Sequence, residues 1–126
     1  SRRRIAVLDD DQGATDSICN HLAGNSYESS AFYRTEDLMA NLKTQRYDGY
    51  VIDWIVGETS TLKLIAALRG QDAAAPIIVL TAQMLTGLVE EAEIASAVAQ
   101  FNLVFSEKPV RMAILQASLA RAFATA

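Results

Sequence analysis

Short continuous runs of hydrophobic residues alternate along this chain with longer stretches that have helical spacing. The short runs predict five strands, at residues 4–8, 27–33, 50–53, 76–81 and 103–105. In the longer stretches apolar residues recur every three or four positions, which predicts five helices between and after the strands. This alternation predicts one α/β domain over residues 1–126, a three-layer sandwich with a parallel sheet between two layers of helices.

Local signals predict where the helices begin and end. The first opens at Gly13 and ends near Gly24, and the second begins at Thr35 with acidic residues in its first turn. The third covers the apolar positions from 62 and ends near Gly70. The fourth spans residues 85–99 and the last spans 112–123. The strand at 27–33 is mixed in polarity, which indicates an edge strand, and residues 54–60 are predicted to form a loop.

Composition narrows the function. A net charge of −4 argues against binding nucleic acid through its phosphates, and Arg2–Arg4, the only basic run, is expected to be a solvated strand start. Cys19 is the single cysteine, so no internal disulfide forms, which fits a cytoplasmic protein. No run of residues approaches the length of a membrane span, so no membrane contact is expected.

Four polar signals stand where predicted strands end. They are Asp9–Asp10 after the first strand, Asp53 after the third, Thr81 after the fourth and Lys108 after the fifth. Because parallel strands end at one edge of their sheet, we expect these side chains to converge, at the edge where α/β proteins bind ligands. The tryptophan beside Asp53, Trp54, is the only one in the chain.

The residue types predict phosphoryl-transfer chemistry. Three clustered carboxylates repel one another, and oxygen ligands of this kind suit Mg²⁺. Such an ion keeps Asp53 ionised, so this carboxylate is predicted to be the nucleophile that forms an aspartyl phosphate. Lys108 is expected to balance charge on the phosphoryl oxygens, and the Thr81 hydroxyl to donate a hydrogen bond to them.

The same residues make the whole chain resemble the receiver domain of a two-component response regulator. The resemblance rests on Val7-Leu8-Asp9-Asp10, on Asp53, on Thr81-Ala82 and on Lys108-Pro109, in this order and spacing. It implies a flavodoxin-like fold with five helices and a five-stranded parallel sheet of order 2-1-3-4-5. It also implies a signalling phosphoacceptor that is not an enzyme beyond promoting its own phosphorylation and dephosphorylation.

For the site, the resemblance implies that Asp53 accepts a phosphoryl group from a histidine kinase or phosphotransfer protein. Asp10, Asp53 and the backbone carbonyl of Ile55 are then expected to bind Mg²⁺, and Asp9 to act through water. Thr81 and Phe105 are the expected switch residues. They would report phosphorylation to a surface formed by the fourth helix, fifth strand and fifth helix, and helices four and five are a candidate homodimer interface.

The chain departs from the family pattern in three places. Gly57 stands where receivers usually carry a proline, and Ser60-Thr61 replaces their Asp-Gly pair, so we expect a more mobile loop over Gly57–Thr61. The small turn before strand five is missing, which predicts a reshaped end of helix four. Gln83 is the one group expected to orient a hydrolytic water, which predicts slow loss of phosphate.

Three alternatives compete with this interpretation. A pseudo-receiver would keep the fold and bind partners without phosphorylation, and the altered loop after Asp53 supports it. A haloacid-dehalogenase-type phosphohydrolase would use Asp9 as nucleophile and Asp11 as general acid, but it leaves Asp53 without a role. A flavodoxin would need a phosphate-binding loop rich in Ser, Thr or Gly after strand one, and the sequence has none there.

Overall fold

The structure is a computed structural model in which residues 2–82 and 88–125 are described. Its strands are β1 Arg3–Leu8, β2 Tyr27–Phe32, β3 Gly49–Asp53, β4 Ile55–Val56, β5 Thr59–Ser60, β6 Ile77–Thr81 and β7 Val104–Glu107. Its helices are α1 Gln12–Ala23, α2 Thr35–Asn41, α3 Leu62–Gln71, α4 Leu88–Phe101 and α5 Met112–Thr125. None of the helices in these described ranges is long and apolar enough to cross a membrane.

The main sheet has the order β2-β1-β3-β6-β7, and every neighbouring pair in it is parallel. This is the predicted order 2-1-3-4-5, because the short strands β4 and β5 form a separate sheet. Alternate residues of each central strand enter opposite cores. Tyr50 and Ile52 pack with α2, α3 and α4, whereas Val51 packs with α1 and α5. The predicted three-layer sandwich is therefore confirmed.

The largest local difference from prediction lies just after β3. Residues 54–60 were expected to form a loop, but β4 and β5 pair there as an antiparallel hairpin, with Ile55 opposite Ser60. Gly57 makes the turn with a φ of 66°, a conformation that costs little only for glycine. The missing proline thus allows a tight hairpin, which periodicity over so few residues could not reveal.

The predicted bounds of the fifth strand were wrong, whereas the predicted start of the second helix is confirmed. The fifth strand was expected at 103–105, but β7 runs from Val104 to Glu107 and has exposed side chains because it is the edge strand. The second helix begins at Thr35, as predicted, with Arg34 as its N-cap residue and no side-chain hydrogen bond at the cap. Leu85, at the predicted start of the fourth helix, lies outside the described residues.

One arginine ties together the loops at the amino end of the sheet. The Arg69 guanidinium donates to the carbonyls of Phe101 and Ala75 at 2.7 Å each, of Asp72 at 3.1 Å and of Asn102 at 3.2 Å. Asn102 ends α4 in a left-handed conformation with a φ of 54°. Here, where receivers usually have a small turn, Arg69 supplies the hydrogen bonds that hold the end of α4.

The arginines at the start of the chain are not simply solvated, as the sequence had suggested. The Arg3 guanidinium lies 4.1 Å from the centre of the Phe123 ring. The Arg4 amide donates to a carboxylate oxygen of Asp48 at 2.7 Å, and the Arg4 guanidinium lies 5.2 Å from the centre of the Tyr47 ring. These contacts anchor the first strand.

Candidate functional site

Three carboxylates meet at the carboxyl end of the sheet. Asp9 follows β1 and Asp53 ends β3, and one oxygen from each of these residues and from Asp10 lies within 4.8 Å of the others. Asp9 is fully buried, Asp53 is 7% exposed and Asp10 is exposed. The sequence predicted this convergence from the parallel arrangement of the strands.

Lys108 directly follows the edge strand β7 and contacts the two buried carboxylates at the same end of the sheet. Its amide donates to the carbonyl of Thr81 at 2.7 Å, which extends the pairing of β6 and β7. Its Nζ lies 2.8 Å from an oxygen of Asp53, to which it donates a hydrogen bond, and 2.8 Å from Oδ2 of Asp9. The contact with Asp9 is an ion pair without hydrogen-bond geometry, so Oδ2 is buried with no hydrogen bond from the described residues.

One ammonium group therefore serves two buried carboxylates. Burial raises the pKa of Asp53 to about 6, and the negative charge of Asp9 adds to the rise, while the hydrogen bond from Lys108 opposes it. Burial alone would lower the pKa of Lys108, but its contacts with Asp53 and Asp9 outweigh this effect and raise it. The site is short of positive charge.

The described donor set fits a divalent cation. Three carboxylates supply hard oxygen ligands, and within residues 2–82 and 88–125 the buried Asp9 Oδ2 has the ion pair with Lys108 but no hydrogen bond. Beside them lies a cavity of about 250 Å³. It is lined by Asp10, Asp53, Trp54, Ile55, Gly57, Ala82, Glu90 and Lys108. Acidic residues, a lysine and Ile55 of β4 thus line one small cavity.

The predicted switch residues lie outside this cavity. Thr81 ends β6 and is buried, beside the acids but not among the residues that line the cavity. Phe105 lies on β7 and is 53% exposed. Gln83, the predicted group for orienting a hydrolytic water, lies outside the described residues.

Asp11 is the N-cap residue of α1. Its carboxylate caps α1 by accepting from the Ala14 amide at 3.0 Å. It is not one of the three clustered acids. The phosphohydrolase alternative, which needed Asp11 as a general acid beside Asp9, therefore finds no support in the geometry.

Sequence reasoning did not predict the contacts that four further residues make at the site. Glu90, in the first turn of α4, lines the cavity, and the Gly57 amide donates to a carboxylate oxygen of Asp10 at 2.9 Å. Thr15 and Thr61 are buried and donate to backbone carbonyls of the acidic segments. An acid in a first turn and a threonine near a helix start are common signals of helix capping, so neither pointed to the site.

Comparison with known proteins identifies the family. The sequence matches the profile of the response regulator receiver domain over residues 5–119, and the chain belongs to this family. Receiver domains are signalling domains that accept a phosphoryl group, bind Mg²⁺ at an acidic cluster and interact with histidine kinases or phosphotransfer proteins. A comparison of the sequence with curated proteins found no match.

Solved structures share the fold. The signal receiver domain of a signal transduction histidine kinase from Syntrophus aciditrophicus has a TM-score of 0.83 and 19% identity, over 98% of this chain and 91% of that one. The receiver domain of the Francisella response regulator 1452 has a TM-score of 0.80 and 22% identity, over 98% of both chains. The chemotaxis response regulator CheY4 of Vibrio cholerae has a TM-score of 0.80 and 17% identity, over 97% and 99%.

Proposed function

We propose that this domain accepts a phosphoryl group on Asp53 from a phosphohistidine of a histidine kinase or phosphotransfer protein. The observation that carries the proposal is the meeting of three carboxylates and Lys108 at one end of the sheet. Asp53 is preferred to Asp9 as the acceptor because it lines the small cavity together with Asp10 and Lys108, whereas Asp9 is fully buried and lines only a separate depression between α1 and α5.

Asp10, Asp53 and the backbone carbonyl of Ile55 are the proposed ligands of Mg²⁺, and Asp9 would act through water. Ile55 lines the same cavity as the two acids, and the buried Asp9 oxygen still lacks a hydrogen bond from the described residues. When bound, the ion supplies charge that keeps Asp53 ionised and screens phosphoryl oxygens.

In the proposed step an oxygen of Asp53 attacks the phosphorus atom in line with the departing imidazole. The new P–O bond forms as the P–N bond breaks, and the histidine nitrogen keeps the electron pair and takes a proton from solvent. Lys108 already contacts the attacking carboxylate, so its ammonium group lies close to the incoming phosphoryl oxygens. A depression of about 530 Å³ between α1 and α5, lined by Lys108, Pro109 and Met112, is the proposed contact surface for the partner beside the site.

We further propose that Thr81 donates to the phosphoryl group and that Phe105 then turns inward behind it. The exposed ring of Phe105 supports an outward starting position. The signal would leave through α4, β7 and α5, where Val89, Val104 and Ile114 are also exposed apolar residues. A homodimer through α4 and α5, and a cytoplasmic location, remain predictions.

The test is transfer from a small phosphodonor. The purified domain is incubated with acetyl phosphate and Mg²⁺, and intact mass spectrometry should detect one added phosphoryl group. Asp53→Asn should abolish the addition, whereas Asp37→Asn, a change of an exposed acid on α2, should leave it intact. Phosphoryl uptake by the Asp53→Asn protein would contradict the assignment of the acceptor.

A pseudo-receiver is the second candidate. Its support is the hairpin, which reshapes the loop after Asp53 on the side of the proposed metal ligands. This alternative predicts no phosphoryl uptake and no response of Trp54 fluorescence to Mg²⁺. Because Trp54 is buried and follows Asp53 directly, its emission should otherwise report binding of the ion.

A further inference from the structure

All the buried polar side chains of the described residues belong to segments of the acidic site. They are Asp9, Thr15, Asp53, Thr61 and Thr81. Burying a polar group is unfavourable unless it is hydrogen-bonded, so each needs a reason. The proposed function gives roles to the aspartates and to Thr81, and leaves Thr15 and Thr61 without one.

The Thr61 hydroxyl bonds to the end of β3 instead of capping its own helix. Thr61 occupies the N-cap position of α3, where a threonine side chain normally accepts a hydrogen bond from an amide of the first helical turn. Its side chain makes no such hydrogen bond here. Its hydroxyl instead donates to the carbonyl of Asp53 at 2.8 Å, and it also contacts the carbonyl of Trp54 at 3.1 Å. The backbone beside the acceptor carboxylate is thereby tied to the start of α3.

Thr15 does the same at the end of β1. Its hydroxyl lies 2.8 Å from the carbonyl of Asp9, six residues earlier, and 2.8 Å from the carbonyl of Asp11. The second contact is the ordinary one for a threonine within a helix, but the first reaches beyond α1 to the strand end. The backbone carbonyl of each buried aspartate, Asp9 and Asp53, therefore accepts a hydrogen bond from one buried threonine.

Asp10, the exposed acid, is held by the hairpin. The Gly57 amide donates to its Oδ2 at 2.9 Å, and Oδ1 keeps no hydrogen bond from any residue in the described ranges. A proline at position 57 would have no N–H to donate. The left-handed turn at Gly57 thus fixes one oxygen of Asp10 and leaves the other open to a ligand.

We infer that Thr15, Thr61 and the Gly57 amide are positioning groups that preform the cation site, each of them bonded to a different aspartate. This inference rests on the proposed function, because it assumes that the three acids bind Mg²⁺. Groups that orient metal ligands typically change metal affinity by tenfold or more when they are removed. A purely structural role would instead lower stability and leave the affinity of the folded protein unchanged.

The test compares threonine variants that differ only in the hydroxyl. Thr61→Val and Thr15→Val keep the shape and remove the donor, and Thr61→Ser and Thr15→Ser restore it. Mg²⁺ is titrated into each protein and followed by calorimetry and by Trp54 fluorescence. We expect the valine variants to bind Mg²⁺ about tenfold more weakly, and the serine variants to stay within about twofold of the unchanged protein.

The control is Thr44→Val, which removes an exposed hydroxyl near α2 and should leave Mg²⁺ affinity unchanged. Unfolding by urea in EDTA measures stability separately. Valine variants that are less stable but bind Mg²⁺ as tightly as the unchanged protein would overturn the inference and leave the proposed function intact. If the unchanged protein itself binds no Mg²⁺, both fail.

The Gly57 contact is tested without depending on a valine variant that folds. Amide hydrogen exchange, read residue by residue by NMR, should show Gly57 protected in the metal-free protein. Asp10→Ala should accelerate exchange at Gly57 by about tenfold or more, and should leave the amide of Tyr50 in β3, which donates to Pro76, unchanged. If the Gly57 amide of the unchanged protein exchanges as fast as in an unstructured peptide, the claim that Gly57 positions Asp10 is wrong.

Discussion

The two ends of the sheet treat their polar groups in opposite ways. At the amino end, the Arg69 guanidinium donates to four backbone carbonyls from two loops. At the carboxyl end, Asp9 and Asp53 share the one ammonium group of Lys108, and Asp9 Oδ2 has no hydrogen bond among the described residues. One end satisfies its polar groups, and the other leaves charge unbalanced.

The difference separates groups that stabilise the fold from groups that await a ligand. A guanidinium bound by carbonyls lowers the free energy of the folded chain and needs nothing further. A buried carboxylate whose pKa is raised to about 6, as for Asp53, makes the folded chain less stable at neutral pH. Substitutions that remove the hydrogen-bond donors at the amino end should therefore destabilise the domain. Substitutions that replace a buried carboxylate by a neutral side chain at the acidic end should stabilise it.

The largest effect is expected from Arg69→Met. Loss of the guanidinium removes donors from carbonyls of Ala75 and Phe101 that are partly buried, which should lower the free energy of unfolding by about 3 kcal/mol. Urea unfolding at neutral pH measures it. Arg121→Met is the matched control, because Arg121 lines the same cavity of about 500 Å³ and is exposed. Equal losses of unfolding free energy in both variants would refute the stabilising role of the Arg69 hydrogen bonds.

The opposite sign is expected from Asp53→Asn. The pKa of Asp53 is about 6 in the folded protein against 3.8 when unperturbed, so the folded chain binds the proton more tightly. This group's contribution to stability falls as pH rises from about 4 to 6 and stays unfavourable above 6. Removing the charge should stabilise the metal-free domain by up to about 3 kcal/mol at pH 7.5.

The pH profile checks the cause of that gain. Thermal unfolding of both proteins in EDTA should show the advantage of Asp53→Asn shrinking towards zero as the pH falls to about 4, where the carboxyl is protonated in both states. Asp37→Asn, on the surface of α2, should show no such advantage at either pH. A gain that persists unchanged at acid pH would mean that it does not come from the charge of Asp53.

A smaller effect is expected from Mg²⁺ itself. A ligand that binds only the folded state at ten times its dissociation constant raises the free energy of unfolding by about 1.4 kcal/mol. The increase should appear in the unchanged protein and in Arg69→Met, and should vanish in Asp10→Asn, which alters one of the three clustered acids. Stabilisation of Asp10→Asn by the same concentration would place the cation elsewhere.

The sequence predicted the parts of this molecule that depend on long patterns. Continuous apolar runs and strand-end polar residues were enough for the parallel sheet and for the meeting of Asp9, Asp53 and Lys108, and the resemblance to receiver domains supplied the strand order. It did not predict the hairpin, because two-residue strands carry no periodicity. It also missed Arg69 and Thr61, since their bonds go to backbone carbonyls, which any sequence supplies and no side-chain pattern marks.

The smallest effect is expected from Phe105→Ala, and it tests whether the apolar groups near β7 belong to the fold. A phenylalanine in a packed core costs about 3–5 kcal/mol when it is cut back to alanine. Phe105 is 53% exposed on an edge strand, so its loss should lower the free energy of unfolding by less than about 1 kcal/mol.

Phe123→Ala provides the comparison for that measurement, since Phe123 packs against the core between the sheet, α1 and α5 and stacks with Tyr27. Its loss should lower stability by about 2–3 kcal/mol, well above the value for Phe105. Urea unfolding of the two variants in EDTA gives both numbers. A loss at Phe105 as large as that at Phe123 would mean that the ring packs inward without phosphorylation, which would also remove the outward starting position that the proposed switch requires.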